Sequence, residues 1–199
     1  MIPDRLVLAT GNGGKADELR ELVREWGAVE TLDLRAFPAV ALPEETESSY
    51  AGNAVLKARA VAAATGLPAL ADDSGLEVEA LAGEPGVRSA RWAGPGASDA
   101  ERIAKLLGAL AGVPAPARGA RFLCVVALAW PDGRLETATG TCDGRIASSP
   151  EGRGGFGFDP VFVADEIGHS LGRATPVEKQ RISHRARAMR SLGARLRAA

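Results

Sequence analysis

Apolar positions along this chain alternate between short unbroken runs and runs spaced three and four residues apart, the signatures of buried strands and amphipathic helices. The run Leu6 to Ala9 predicts a strand apolar on both faces. It feeds Thr10-Gly11-Asn12-Gly13-Gly14-Lys15, read as a Gly-rich turn. After it, Leu19, Leu22, Val23 and Trp26 recur at helical spacing, with Asp17 and Glu18 expected in the first turn and Gly27 at the end. Val29 to Leu32 predicts a second strand, and Pro38 to Glu47 is an irregular acidic stretch. An Ala-rich helix is predicted from about Ser49 to Thr65, with Ala51, Ala54, Val55, Ala58 and Ala62 on one face and Gly66-Leu67-Pro68 as its stop.

The short apolar run Pro68 to Ala71 predicts a strand that gives way to a turn at Asp72-Asp73-Ser74-Gly75, because Asp, Ser and Gly favour turns. Glu84 to Trp92 is a loop bracketed by Gly and Pro. Ser98 and Glu101 form a capping box that opens a helix through Ile103, Leu106, Leu107 and Leu110, and Gly112 to Arg118 is a connector. Phe122 to Trp130 is the strongest strand pattern. Pro131-Asp132-Gly133 turns it into a partner around Leu135 to Thr141, an antiparallel hairpin. Gly152 to Pro160 breaks all periodicity. Thr175-Pro176-Val177-Glu178 starts a short helix carrying Lys179, and Ser183-His184-Arg185 opens a last one through Ala188, Leu192 and Leu196.

Composition narrows the classes. With 199 residues, 46% of them hydrophobic, the chain suits one globular domain or two lobes on one core. A formal net charge of −1 supplies no basic field for wrapping nucleic acid, so none is expected as a partner. The two cysteines, Cys124 and Cys142, have no metal-type or redox-type spacing and read as reduced thiols. The N-terminus lacks a signal-like or long apolar segment, so a soluble cytoplasmic protein with no membrane partner is expected.

Candidate chemistry gathers at four places. Asp72 and Asp73 are adjacent carboxylates whose repulsion a hard divalent cation would relieve, although an ordinary Asp-Ser-Gly turn has the same composition. A strand, a Gly-rich turn and a helix start make an anion site, to which Lys15 adds a charge. It is not a P-loop, because Ala9 and Ala16 stand where that motif needs Gly and a hydroxyl. Asn53 and Lys57 lie one helical turn apart, and Glu44 and Glu45 precede them; a ligand-facing pair and a solvated stripe both fit. Finally, Phe156 and Phe158 between glycines suit stacking on a planar ligand, and Ser183-His184-Arg185 offers donors to a purine edge or a phosphate.

Seven segments in order resemble the inosine triphosphate pyrophosphatase, or Ham1-like, family. They are Leu8-Ala9-Thr10-Gly11-Asn12-x-x-Lys15, Glu44-Glu45-Thr46, Asn53-Ala54-x-Leu56-Lys57-Ala58, Ala71 to Leu76, Gly86-Val87-x-Ser89-Ala90-Arg91, Gly154-Gly155-Phe156-Gly157-x-Asp159-Pro160 and Ser183-His184-Arg185. Phe158 departs from the Tyr or Trp common there.

The resemblance implies an α/β fold with a mixed central sheet flanked by helices, a single domain over 1–199, elongated and two-lobed around a deep cleft, and a homodimer. It implies hydrolysis of XTP, ITP or dITP to the monophosphate and pyrophosphate with Mg²⁺, which clears deaminated purines from the nucleotide pool. By the same resemblance, Asp73 is the catalytic proton acceptor, and Glu45 and Asp73 serve the metal. Thr10, Gly11, Asn12, Gly13, Gly14, Lys15 and Lys57 hold the triphosphate. Ser74, Phe156, Gly157, Phe158, Asp159, Lys179, His184 and Arg185 bind substrate, the last group around the base. A nucleotide pyrophosphatase of other base preference and a non-catalytic nucleotide sensor are the alternatives that a substrate panel separates.

Overall fold

The computed structural model describes residues 1–198. Its strands form one six-stranded mixed sheet in the order β2-β1-β3-β4-β5-β6. β1 (Arg5–Leu8) is followed by α1 (Gly13–Arg24) and β2 (Glu30–Asp33), with β1 and β2 parallel and Val7 opposite Leu32. The helical crossover is what permits this parallel pairing. α2 (Tyr50–Thr65) leads to β3 (Ala69–Val78), parallel to β1 on its other side, with Leu8 opposite Leu70. α3 (Asp99–Ala109) precedes β4 (Gly119–Ala129) and β5 (Leu135–Ile146). Trp130 N–H donates to Arg134 O across their connection, which is short enough to allow only the expected antiparallel hairpin. β6 (Phe162–Ala164) pairs antiparallel with β5, and α4 (Pro176–Ile182) and α5 (His184–Ala198) end the chain.

Where sequence signals were local, the boundaries follow them. Ser49 caps α2 through Gly52 N–H, and Gly66 ends it in the left-handed conformation at φ 68°. Ser98 with Glu101, and Thr175 with Glu178, form reciprocal capping boxes on α3 and α4.

Three expectations are corrected. α1 begins at Gly13 rather than after the Gly-rich segment, because the Asn12 carboxamide accepts from Lys15 N–H at 3.0 Å and caps it. Gly13, Gly14 and Lys15 therefore form the first turn, and Asp17 and Glu18 fall in the second. On α2, Ala51 is exposed, whereas Asn53 and Lys57 share the buried side with Ala54, Ala58 and Ala62. Asp72-Asp73-Ser74-Gly75 is not a turn; it lies inside the ten-residue β3. Turn preference in Asp and Ser comes from side chains competing for backbone hydrogen bonds. Here β1 and β4 flank the strand, and the carboxylates have charged and amide partners of their own.

Two compact units divide the chain, with boundaries inside β3, β4 and β5. The first comprises residues 1–73, 124–140 and the C-terminal helix from His184. Its core joins Leu6 and Leu8 of β1, Leu19, Leu22 and Val23 of α1, Val126 and Leu128 of β4, and Met189 and Leu192 of α5. Trp26 seals the end of α1 onto α5: its indole N–H donates to Met189 O, and a Cβ at Gly193 would meet that ring at 2.5 Å. The second comprises residues 74–123 and 141–183, with a separate core of Leu76, Val78, Leu106, Leu110, Phe122, Phe162 and Ile182. Among the described residues no helix is long and apolar enough to cross a membrane.

Candidate active site

In the first unit, β3 delivers two consecutive carboxylates to different surroundings, as adjacent residues of a strand must. Asp72 meets α1 and α5. Its Oδ2 accepts from Arg185 Nε at 3.1 Å and Nη2 at 2.9 Å, and lies 3.2 Å from Lys15 Nζ. The Cys124 thiol on β4 is 3.9 Å from the same oxygen. Burial by itself raises the Asp72 carboxyl, but Lys15, Arg185 and Lys57 outweigh it and hold it well below the usual carboxylate range. The same burial, with Asp72 nearby, pushes the Cys124 thiol up to about 12, so it is a neutral thiol. Arg185 also donates to Glu18, one turn beyond Lys15 on α1. Burial disfavours its charge, yet Asp72 and Glu18 raise its affinity for the proton above that of an ordinary arginine.

Asp73 faces α2. Its Oδ2 accepts from the Asn53 carboxamide at 3.0 Å, and Asn53 Oδ1 in turn accepts from Glu47 N–H at 3.0 Å. That second bond holds the segment carrying Glu45, whose carboxylate takes the Lys57 ammonium at 2.5 Å. The Asp73 carboxyl is shifted upward, first by burial and further by Glu45, against the opposing pull of Lys57, Asn53 and Lys15. So the two neighbours differ in kind. Asp72 is neutralised by fixed cations, whereas Asp73 retains a deficit of positive charge that a proton or a metal relieves.

That deficit suits a hard cation such as Mg²⁺. Among the described residues no three His, Cys, Asp or Glu side chains gather as a ready-made metal cluster. Mg²⁺ does not need one, because it is bound by one or two carboxylates with substrate phosphates and water completing its shell. Asp73 and Glu45, hard oxygen donors of which the second raises the proton affinity of the first, suit that mode.

The anion-binding half comes from the start of α1. Its first-turn N–H groups have no intrahelical acceptor, and the helix dipole adds to the charge of Lys15. A Cβ on Gly13 would meet nothing within 4 Å, so the backbone there is open to a phosphate. The Thr10 hydroxyl accepts from Asn12 N–H at 3.2 Å and keeps its own proton to donate.

The second unit holds the aromatic loop. Lys179 Nζ donates to Asp159 Oδ2 at 2.6 Å and sits 4.7 Å over the Phe156 ring, while Asp159 Oδ2 also accepts from Phe156 N–H at 2.8 Å. Lys179, Asp159 and Phe156 are thus one group, with Phe156 half-buried. Phe158, expected to bind substrate beside it, is 4% exposed and packs in the core of this unit. Ser74 is half-buried on β3, and His184 is buried at the start of α5.

Asn53 was signalled by its spacing from Lys57. Glu18 and Cys124 carried no chemical signal, because what makes them part of the cluster is Arg185 and Asp72, far away in sequence.

Known proteins resemble this chain over most of its length. The model of the Ham1 family matches residues 6–195. The dITP/XTP pyrophosphatase of Geobacillus kaustophilus is 49% identical over 187 residues, 94% of this chain and 91% of that one. The dITP/XTP pyrophosphatase of Thermus thermophilus is 48% identical over 94% and 89% of the two chains. Among solved structures, a HAM1 protein from Coxiella burnetii superposes with a TM-score of 0.87 at 42% identity, covering 98% of this chain and 99% of its own. Asp73 with its lysines, the Asn12-capped glycines that open α1 and the Phe156 loop all fall inside the matched span, and the chain belongs to the Ham1 family.

Proposed function

We propose that the protein hydrolyses non-standard, deaminated purine nucleoside triphosphates, XTP, ITP and dITP, to the monophosphate and pyrophosphate. The observation that carries this reading is Asp73: a carboxylate of raised proton affinity beside Lys57 and Lys15, in a chain whose relatives are named dITP/XTP pyrophosphatases. Asp73 accepts the proton of the attacking water, and its upward shift makes it a stronger base than a surface aspartate. Lys15, the α1 N-terminus and Lys57 neutralise the charge that grows on the departing pyrophosphate. Glu45 and Asp73 would hold Mg²⁺, which would supply further charge neutralisation.

Roles divide between the two units. The first carries the groups suited to phosphate and metal, and the second carries the stacking ring and the Lys179 ammonium, suited to a base. The family resemblance adds His184 and Arg185 to the substrate-binding residues, both of them buried and Arg185 held by Asp72 and Glu18. A site built to donate to O6 leaves buried donors unpaired when it meets an adenine amino group, which is the source of selectivity. Family resemblance also supports a cytoplasmic homodimer.

A panel of nucleoside triphosphates with detection of pyrophosphate tests the reading. XTP, ITP and dITP should turn over far faster than ATP and GTP. Release of orthophosphate instead of pyrophosphate, or no turnover at all, refutes it.

A further inference from the structure

Asp99 is the first residue of α3 and, in the sequence, is merely a spacer inside the Ser98–Glu101 capping box. In the structure both of its oxygens are engaged. Oδ1 accepts from Arg102 one turn later, and Oδ2 accepts from the backbone N–H of Gly157, 58 residues away, at 2.7 Å. Gly157 is the neighbour of Phe156.

The loop needs a tie of this kind. Gly152, Gly155 and Gly157 all have positive φ, at 81°, 71° and 63°, so the segment is held in a conformation that glycine makes accessible but does not enforce. It is also held from the chain that follows: Phe156 N–H donates to Asp159, Gly154 N–H to Gly172 O and Gly172 N–H to Asp159 O, and Lys179 of α4 bonds Asp159 and lies over the Phe156 ring. These fasten the loop to the segment that follows it. The Asp99 bond fastens it to α3. A Cβ on Gly157 would meet nothing within 4 Å, so no side chain fills that side of the loop. The acceptor is itself anchored, because Arg102 Nη1 donates to Ala90 O at 2.8 Å and Ala97 O at 2.7 Å while Nη2 holds Asp99.

We propose that Asp99 is a positioning residue for base selection, its Oδ2 bond to Gly157 N–H fixing where the Phe156 ring stands. The inference rests on the reading of Phe156 as the ring that stacks on the base. A stacking partner discriminates only when its place is set before the ligand arrives; otherwise ordering the loop consumes the binding energy. Among the described residues Asp99 bonds to Arg102 and Gly157, so its loss should be felt through the loop. Its side chain is 43% exposed, and Ser98 and Glu101 still cap α3 without it, so the fold tolerates the change.

Steady-state kinetics with ITP and ATP, together with inhibition by inorganic tripolyphosphate, test this on the full-length wild type and on Asp99→Ala, Asp99→Asn and Phe156→Ala. Asp99→Ala should raise KM for ITP about tenfold, the scale of one hydrogen bond to a charged acceptor, with kcat within about threefold. The preference for ITP over ATP should narrow, and the tripolyphosphate inhibition constant should hold. Asp99→Asn keeps an oxygen for Gly157 N–H and should recover most of the loss. If Phe156→Ala damages KM for ITP and Asp99→Ala does not, the proposal is wrong and the stacking role of Phe156 stands. If neither variant changes KM or selectivity, both fall. An equal loss for ITP and tripolyphosphate in Asp99→Ala makes the residue a general support and overturns the proposal.

Discussion

Arg185 and Asp72, 113 residues apart, are joined by two hydrogen bonds from one guanidinium, Nε and Nη2, to a single carboxylate oxygen. Neither side chain is more than 2% exposed. A buried pair of this kind contributes little against an apolar replacement, but removing one partner leaves the other buried with only part of its compensation, Lys15 for Asp72 or Glu18 for Arg185. Arg185→Ala should therefore destabilise the protein by about 3–5 kcal/mol, whatever it does to selectivity. Urea unfolding of Arg185→Ala, Asp72→Asn and the double variant checks this, and a double variant less damaged than Arg185→Ala alone is the expected result. Strictly additive losses would mean that the pair is not coupled.

The same pair sets an acid limb of stability. Asp72 has its folded-state affinity for protons depressed below the ordinary 3.8, so below that pH the unfolded chain takes up a proton that the native state refuses. Its contribution is present above about pH 4 and is lost as pH falls. Melting temperature followed from pH 6 downward should drop more steeply for the wild type than for Asp72→Asn. Parallel curves would assign the acid limb to other groups.

Asp73→Asn keeps the size of the side chain and its hydrogen bond to Asn53 in altered form, but removes the charge. Turnover of ITP at saturating Mg²⁺ should fall by roughly a hundredfold or more, with the unfolding transition little changed. Because Asp73 sits in the native state with an upward shift, loss of its charge relieves burial rather than breaking an ion pair. A folded variant with near-wild-type turnover removes Asp73 from the chemistry.

Lys15→Ala should weaken triphosphate far more than monophosphate, since the ammonium and the α1 N-terminus address charge beyond the first phosphate. Calorimetric titration with a non-hydrolysable ITP analogue and with IMP separates the two. Equal losses place Lys15 elsewhere, for instance as a partner of Asp72 alone.

What the sequence determined by itself is local. Ser49 and Gly66 bounded α2, Ser98 with Glu101 and Thr175 with Glu178 started α3 and α4, and the apolar run after Arg121 marked β4. Each signal acts over four residues or fewer, or through a periodicity visible in one stretch, so no knowledge of the fold was needed. The family motifs were legible for the same reason.

Tertiary structure alone decided how the charges are shared. Asp72 and Asp73 are chemically identical neighbours, and their composition suggested a turn. Only the strand pairing of β3 and the helices laid against it make one a fixed anion and raise the proton affinity of the other. Phe156 and Phe158 likewise read as equivalent rings, yet one lies beside Lys179 and the other is core. The physical reason is common to both cases. The character of an ionisable or aromatic side chain is set by burial and by partners that the fold brings from 20 to more than 100 positions away, as Asn53 and Arg185 are brought to the adjacent carboxylates of β3.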